Sequence, residues 1–233
     1  MAATISYEND LEQPITAVQM QQLDRYIKVT TVAGLVKIKE EFYKNAVVYL
    51  IYYKDPSELT NTILETYNSI PDVEIRERQA EGNYTLVNAE SYDRGILIFK
   101  GTVVFDQEGR EIYSSPIDAI SNVHHFDETN KYFYDPVTGE QMYVFWYGTN
   151  GALSSMNSYN PIHDAYINPF KDHFHPHELP TLKGLDWPNM TYFHAADPII
   201  PTEILLKKHL PTETSMSIVT KIRRLFRGFF LRR

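Results

Sequence analysis

The spacing of hydrophobic and polar positions changes several times along the chain. Met20, Leu23 and Ile27 stand three and four residues apart, which predicts a short helix over 15–28. From Leu35 the period shortens to two. Val36, Ile38 and Phe42 alternate with Lys37, Lys39 and Glu41, as in a strand with one wet face. Lys44-Asn45 is a turn signal, and the apolar, β-branched and aromatic run over 47–53 predicts a buried strand. Asp55-Pro56-Ser57-Glu58 has the form of a helix start: a capping residue, proline at the first helical position and a returning glutamate. Leu59, Ile63 and Tyr67 then make an apolar stripe, so a second helix is expected over 56–68, closed by Pro71. Val73, Ile75 and Glu77 alternate with Glu74, Arg76 and Arg78 as a further strand.

Over 83–153, aromatic-rich strands run repeatedly into turns that open with Asp or Gly and close with Gly, such as Asp93-Arg94-Gly95 and Asp106-Gln107-Glu108-Gly109. Gly supplies the positive φ such turns need, and sequential hairpins predict an antiparallel meander. The segment 158–202 differs. It holds seven of the 13 prolines and five of the eight histidines, which forbids long ladders and helices. Its many aromatic residues argue for an ordered, irregular wrap over the sheet, closed by a short helix near 202–209. In the tail, Ile218, Ile222, Leu225, Phe226 and Phe229 share one helical face.

The expected fold class is therefore α+β: an antiparallel meander with short helices, a proline-rich wrap and a basic amphipathic C-terminal helix. The expected division is a hairpin domain over 1–157, the wrap over 158–211 packed on it, and the tail over 212–233.

Charge sharpens this division. The whole chain carries −8, but the last 17 residues hold six cations and no acid, which leaves 16 cations against 30 anions, or −14, in residues 1–216. An acidic body repels nucleic acid and attracts basic partners. The chain has no cysteine, which excludes disulfides, thiolate metal sites and a cysteine nucleophile. The N-terminal 22 residues lack an apolar signal-peptide core, and no run is long and apolar enough to span a bilayer, so a cytoplasmic protein is expected. Nucleophile-elbow, dinucleotide and Walker motifs are missing, which counts against the common hydrolase, dehydrogenase and NTPase classes.

Glu41-Phe42-Tyr43-Lys44-Asn45, Ser91-Tyr92-Asp93-Arg94-Gly95 with the following Ile96-Leu97-Ile98-Phe99-Lys100-Gly101, and Phe105-Asp106-Gln107-Glu108-Gly109-Arg110-Glu111-Ile112-Tyr113 resemble degenerate MORN-type hairpin repeats. A similar variant occurs in bacterial antitoxin or immunity proteins. The resemblance covers residues 35–153, is interrupted by the expected helix at 56–68, and has no counterpart in 158–233. The family has no catalytic signature, so the resemblance implies a binding or structural role.

Four groups of residues carry candidate chemistry. Asp72, Glu74, Glu77, Glu81, Asp106, Glu108, Glu111, Asp127 and Glu128, with nearby tyrosines, form a candidate acidic surface for a basic protein partner such as a toxin. His173, His175 and His177 alternate between carboxylates and share a face in an extended chain, which suits zinc or another divalent transition metal and, as the alternative, a metal-dependent enzyme. Arg223, Arg224, Phe226, Arg227 and Phe229 suit an interfacial helix on an anionic membrane, a partner groove or the chain's own body, so a membrane-peripheral or structural repeat protein is a further reading. His124-His125-Phe126-Asp127-Glu128 sets potential bases beside carboxylates, without a defined substrate geometry. The leading expectation is a non-enzymatic immunity-type protein that neutralises a basic toxin.

Overall fold

In the computed structural model, residues 2–160 and 173–201 are described. They form mostly one large mixed β-sheet with few short helices. Its strands are β1 (Ala3–Glu8), β2 (Pro14–Ile15), β3 (Arg25–Val32), β4 (Leu35–Tyr43), β5 (Ala46–Lys54), β6 (Asp72–Glu81), β7 (Tyr84–Asp93), β8 (Ile96–Phe105), β9 (Glu111–Ile117), β10 (Asn130–Tyr134), β11 (Gln141–Tyr147), β12 (Leu153–Ser158) and β13 (His173–Phe174). The helices include α1 (Ala17–Met20) and α2 (Thr60–Thr66). From β13 down to β3 the strand order follows the chain in reverse, and β1 then lies between β3 and β2.

Tight turns account for this order. Ala33-Gly34, Lys44-Asn45 and Arg94-Gly95 each place two consecutive residues at positive φ, with 52° and 80° at the first pair. That conformation matches the twist of paired strands and lets a hairpin close in two residues. The expected strands at 35–43, 47–53 and 73–77, and those over 83–153, are all present.

Three expectations are corrected. Residues 15–28 are not one helix: α1 ends after one turn, and Ile27 belongs to β3. Thr16 and Gln19 form a capping box, but the β-branched run Ile27, Val29, Thr30, Thr31 and Val32 pairs with β1 and β4 instead. The second helix is shorter than expected: Glu58 does return to Asp55, but the segment it closes is a turn, and α2 starts only at Thr60. The Glu58 carboxylate accepts from the Asp55 N–H at 2.7 Å and from Lys37 Nζ at 2.5 Å. Leu59 is exposed, so the buried stripe is Ile63 with half-buried Leu64 and Tyr67. Finally, the sheet is not purely antiparallel. β5 and β6 are parallel, in register Leu50↔Val73 and Tyr52↔Ile75, with α2 in the crossover that parallel strands require.

The chain divides into two compact units. The first comprises residues 1–79 and 87–101. Its core lies on one sheet face, where Leu50, Tyr52, Val73, Ile75 and Tyr92 bury Ile63 and Ile70 from the crossover. Each such side chain removed from water contributes roughly 1.5–3 kcal/mol. The alternate positions of the same strands carry buried charge. Glu74 and Arg76 are buried together, with Nε 2.5 Å from Oε1, and Tyr49 donates to the same carboxylate. Arg78 covers the Tyr53 ring at 3.7 Å, and Lys39 reaches Glu8 at 2.7 Å.

The second unit comprises residues 80–86 and 102–233, so far as they are described. Tyr143, Phe145, Tyr147 and Met156 of β11 and β12 pack against Phe174, Leu179, Leu182, Met190, Phe193 and Ala196. Residues 173–201 are irregular, with short 3-10 turns, and contribute eight of the twelve buried residues of this core. Aromatic contacts bind the layers, with Phe145 and Phe193 centroids 4.5 Å apart. A smaller cluster joins Leu86, Val104, Ile112 and Tyr113. The expected helix near 202–209 and the basic tail, including Arg223, Arg224, Phe226, Arg227 and Phe229, lie outside the described residues.

Candidate functional site

Most hairpins in the sheet turn tightly, at 33–34, 44–45, 135–140 and 148–152. Between β9 and β10, however, the chain takes residues 118–129 to return. Long connections that keep an ordered form in a compact sheet are frequent binding elements.

This connection is ordered from its base upward. Asn130 and Lys131 of β10 pair with Ser114 and Tyr113 of β9, which brings the two ends together. Above that pairing, Ser115 Oγ and Thr129 Oγ1 lie 2.7 Å apart in a buried hydroxyl pair. His124 Nδ1 is 3.1 Å from Ser115 Oγ, and Thr129 also donates to the His125 carbonyl at 3.1 Å. The His124 ring stacks on Phe126 and meets Tyr113 edge-on. Burial lowers the His124 pKa, so the neutral ring that can share this hydrogen bond is favoured.

A two-stranded stub rises from this base. Ile117 bridges His124, and the Asp118 N–H donates to the Val123 carbonyl at 2.8 Å. Asp118 then organises the tip. Its Oδ1 accepts from the Ser121 N–H at 2.6 Å, from the Ser121 hydroxyl at 2.8 Å and from the Ile120 N–H at 3.0 Å. These bonds hold the Asp118 carboxyl below the usual range, so it stays ionised. The result is an aliphatic tip: Ile120 is 93% exposed and Val123 59% exposed. At its foot, the short 3-10 turn Phe126–Glu128 leaves Asp127 and Glu128 exposed. The site thus joins two exposed aliphatic side chains to three carboxylates, on a connection fixed by buried hydroxyls.

The nine expected acidic residues are distributed differently. Asp127 and Glu128 belong to this site. Glu74, Asp106 and Glu111 are buried and do not present a surface to a partner. Asp106 accepts from Arg110 at 2.7 Å, and Arg110 also reaches the exposed Glu108 at 3.1 Å. Glu77 pairs with Lys54 at 2.9 Å, Asp72 is exposed at the start of β6, and Glu81 is half-buried at its end. Glu111 is the most perturbed of these acids. Burial pushes its pKa up to about 8, against hydrogen bonds from Ser114 and Tyr132, and Oε1 has no hydrogen-bond partner among the described residues.

The three expected metal ligands are exposed, and His173 meets His175 edge-on. His173 stacks near Trp146 and bonds Asn157 through Nδ1 at 2.9 Å, and the His175 and His177 rings lie parallel with centroids 6.0 Å apart. Among the described residues, no group of three or more His, Asp or Glu side chains is gathered as a metal ion would require. Nor, among those residues, is any helix long and apolar enough to cross a membrane.

Sequence reading missed Ile120, Val123 and the role of Asp118. Two signals mark them: aliphatic residues within a polar connection, and an Asp placed to accept from N–H groups two and three residues ahead. No protein-family model, curated protein or solved structure matches the chain.

Proposed function

We propose that this is a non-enzymatic protein-binding protein that captures a basic partner through the 118–129 connection. In its most concrete form, it is a cytoplasmic immunity-type protein that neutralises a cognate basic bacterial toxin. The observation that carries the reading is the pairing of an aliphatic tip, Ile120 and Val123, with ionised Asp118 and exposed Asp127 and Glu128 on a pre-ordered support. A fixed loop loses little conformational entropy on docking. Carboxylates speed the encounter with a basic surface, while buried aliphatic groups slow dissociation. The α+β label of this reading rests on its short helices together with the sequence-predicted basic helix of the 212–233 tail, and that tail offers a second contact, to the same partner or to an anionic membrane.

The test is co-expression of the full chain with basic proteins from neighbouring genes, followed by capture at about 50 mM salt, where charge attraction is weakly screened. A partner is expected to be retained by the wild type. It should be lost with the double variant Ile120→Asp/Val123→Asp, and weakened with Asp127→Lys/Glu128→Lys. Equal retention by both variants, with unchanged circular dichroism, would overturn the assignment of this site.

A further inference from the structure

A second surface lies in the first unit, on strand β1, and is independent of the partner-binding proposal. β1 is paired along its inner side with β3, from Ala3↔Val32 to Glu8↔Ile27. Among the described residues, its outer side is paired only at one end, where β2 pairs Tyr7↔Ile15 and Glu8↔Pro14 and α1 adjoins β1. Among the described residues, nothing pairs with the outer side of Ala3 to Ser6.

The direction of the backbone groups there follows from the register. The Asn9 N–H donates across the turn to the Gln13 carbonyl at 2.9 Å, so Asn9 faces outward. Pro14 has no N–H, so Glu8↔Pro14 is not a hydrogen-bonded pair and Tyr7↔Ile15 is. Groups alternate along a strand, so Ile5 and Ala3 also turn their N–H and C=O outward. Thr4 and Ser6 turn theirs to β3. Two donors and two acceptors thus stand ready on a four-residue edge.

Exposed edges are normally protected by charge, proline or a bulge. Ala3, Thr4, Ile5 and Ser6 offer none of these. The nearest charge, Glu8, is engaged by Lys39 at 2.7 Å. The edge is also apolar: Ile5 is 57% exposed, Leu11 in the β1–β2 turn 68%, and Val18 on the adjoining α1 66%.

We infer that this edge pairs with the same edge of a second copy of the chain. An antiparallel arrangement with its two-fold axis at Thr4 sets Ala3 opposite Ile5 of the second copy, and Ile5 opposite its Ala3. All outward groups of Ala3 and Ile5 are then satisfied in four hydrogen bonds, and β2 of neither copy is displaced. A register centred on Ile5 would instead place Ala3 opposite Tyr7, which β2 already occupies. This self-complementarity is what an isologous interface requires. A basic partner has nothing to recognise in an uncharged edge. Two copies at −8 each repel, so dimerisation strengthens with added salt, whereas capture of a basic partner weakens.

Sedimentation of the full chain from about 1 to about 500 µM, at low and high salt, tests the inference. The expected result is a reversible approach to twice the monomer mass, favoured by salt. Ala3→Pro removes an outward N–H without touching the β3 ladder, and Ile5→Lys adds charge to the edge. Each is expected to raise the dissociation constant at least tenfold while circular dichroism is unchanged. A wild-type chain that stays monomeric at all these concentrations, or a dimer that both variants leave intact, would overturn the pairing. Neither result bears on the 118–129 site.

Discussion

The Lys131 ammonium donates to the Tyr192 carbonyl at 2.7 Å. The same nitrogen donates to the Ala195 carbonyl at 2.8 Å and to the Pro198 carbonyl at 2.9 Å, and it lies over the Tyr192 ring at 3.8 Å. Three carbonyls meet the three N–H groups of one buried lysine. A side chain of β10 therefore helps to fix the irregular segment 192–198, which is otherwise tied to the sheet by the Ala195–Ala152 bridge and the Ala196 N–H bond to the Gly151 carbonyl. Lys131→Met keeps the stem but leaves three carbonyls without their donor, so a loss of about 2–4 kcal/mol is expected. Urea denaturation checks the magnitude. Proteolysis should show new cleavage near 192–198 before global unfolding, and a variant with no change in either would refute the anchoring role.

Burial pulls the Lys131 pKa down to about 7, and Asp197 opposes the shift. In the unfolded chain a lysine titrates near 10.4, so between about pH 7 and 10 the unfolded state binds more of this proton. Stability from this group therefore rises with pH across that window. Glu111 acts in the opposite sense. Its folded pKa of about 8 lies above the unfolded value, so the native state binds more protons between about pH 4.5 and 8. Stability from Glu111 falls as pH rises through that range. Glu111→Gln imitates the protonated carboxyl, so it should match the wild type at pH 4.5 and exceed it by about 2 kcal/mol or more at pH 8.5. Chemical denaturation at the two pH values decides this, and equal differences at both would show that Glu111 does not titrate in the window.

Much of the sheet was legible because two local signals coincide. Alternating residues define each strand, and Gly or Asn at positive φ defines each turn, as at Lys44-Asn45 and Arg94-Gly95. The segment 15–28 was misread because helical spacing of three apolar residues does not require a shared helix: only Met20 lies in α1, and β-branched residues after Ile27 favour pairing. Glu74 and Arg76 were misread for another reason. Alternation with Val73 and Ile75 assigns them to a wet face, but the two charges neutralise one another, so the face carrying them is buried as well. The 118–129 connection was legible only in part: Asp127 and Glu128 stand among the expected acidic residues, whereas Asp118, Ile120 and Val123 do not. Nothing local marks a hydroxyl pair whose members, Ser115 and Thr129, come from its two ends.

Hairpin geometry allows a stabilising change. Ala33 sits at φ 52° beside Gly34 at 80°, the arrangement that favours Asn-Gly. A non-glycine residue other than Asn or Asp is strained there. Ala33→Asn is expected to raise stability by about 0.5–1 kcal/mol. Gly151→Ala should do the reverse, because its φ is 74° and a Cβ would meet the Phe126 ring at 3.3 Å. Thermal melts of the two variants should move in opposite directions, and movement in the same direction would count against this account of the turns.

The support of the binding connection can be separated from its contacts. Thr129→Val keeps the shape of a buried side chain but removes the 2.7 Å bond to Ser115 and the bond to the His125 carbonyl. The direct cost is about 1–2 kcal/mol of stability. The more specific consequence is local. The His125 N–H, bonded to the Pro116 carbonyl, and the Asn122 N–H, bonded to the Asp118 carbonyl, lie above the broken pair. Their amide exchange should accelerate about tenfold or more, while amides of β11 change only by the global stability loss. Ile120, Val123, Asp127 and Glu128 are untouched, so any fall in partner affinity reports the lost order of the loop. That fall should appear with the encounter charge intact and the salt dependence of capture unchanged. If exchange at Asn122 and His125 follows that of β11, the hydroxyl pair stabilises the second unit as a whole and does not pre-order the tip.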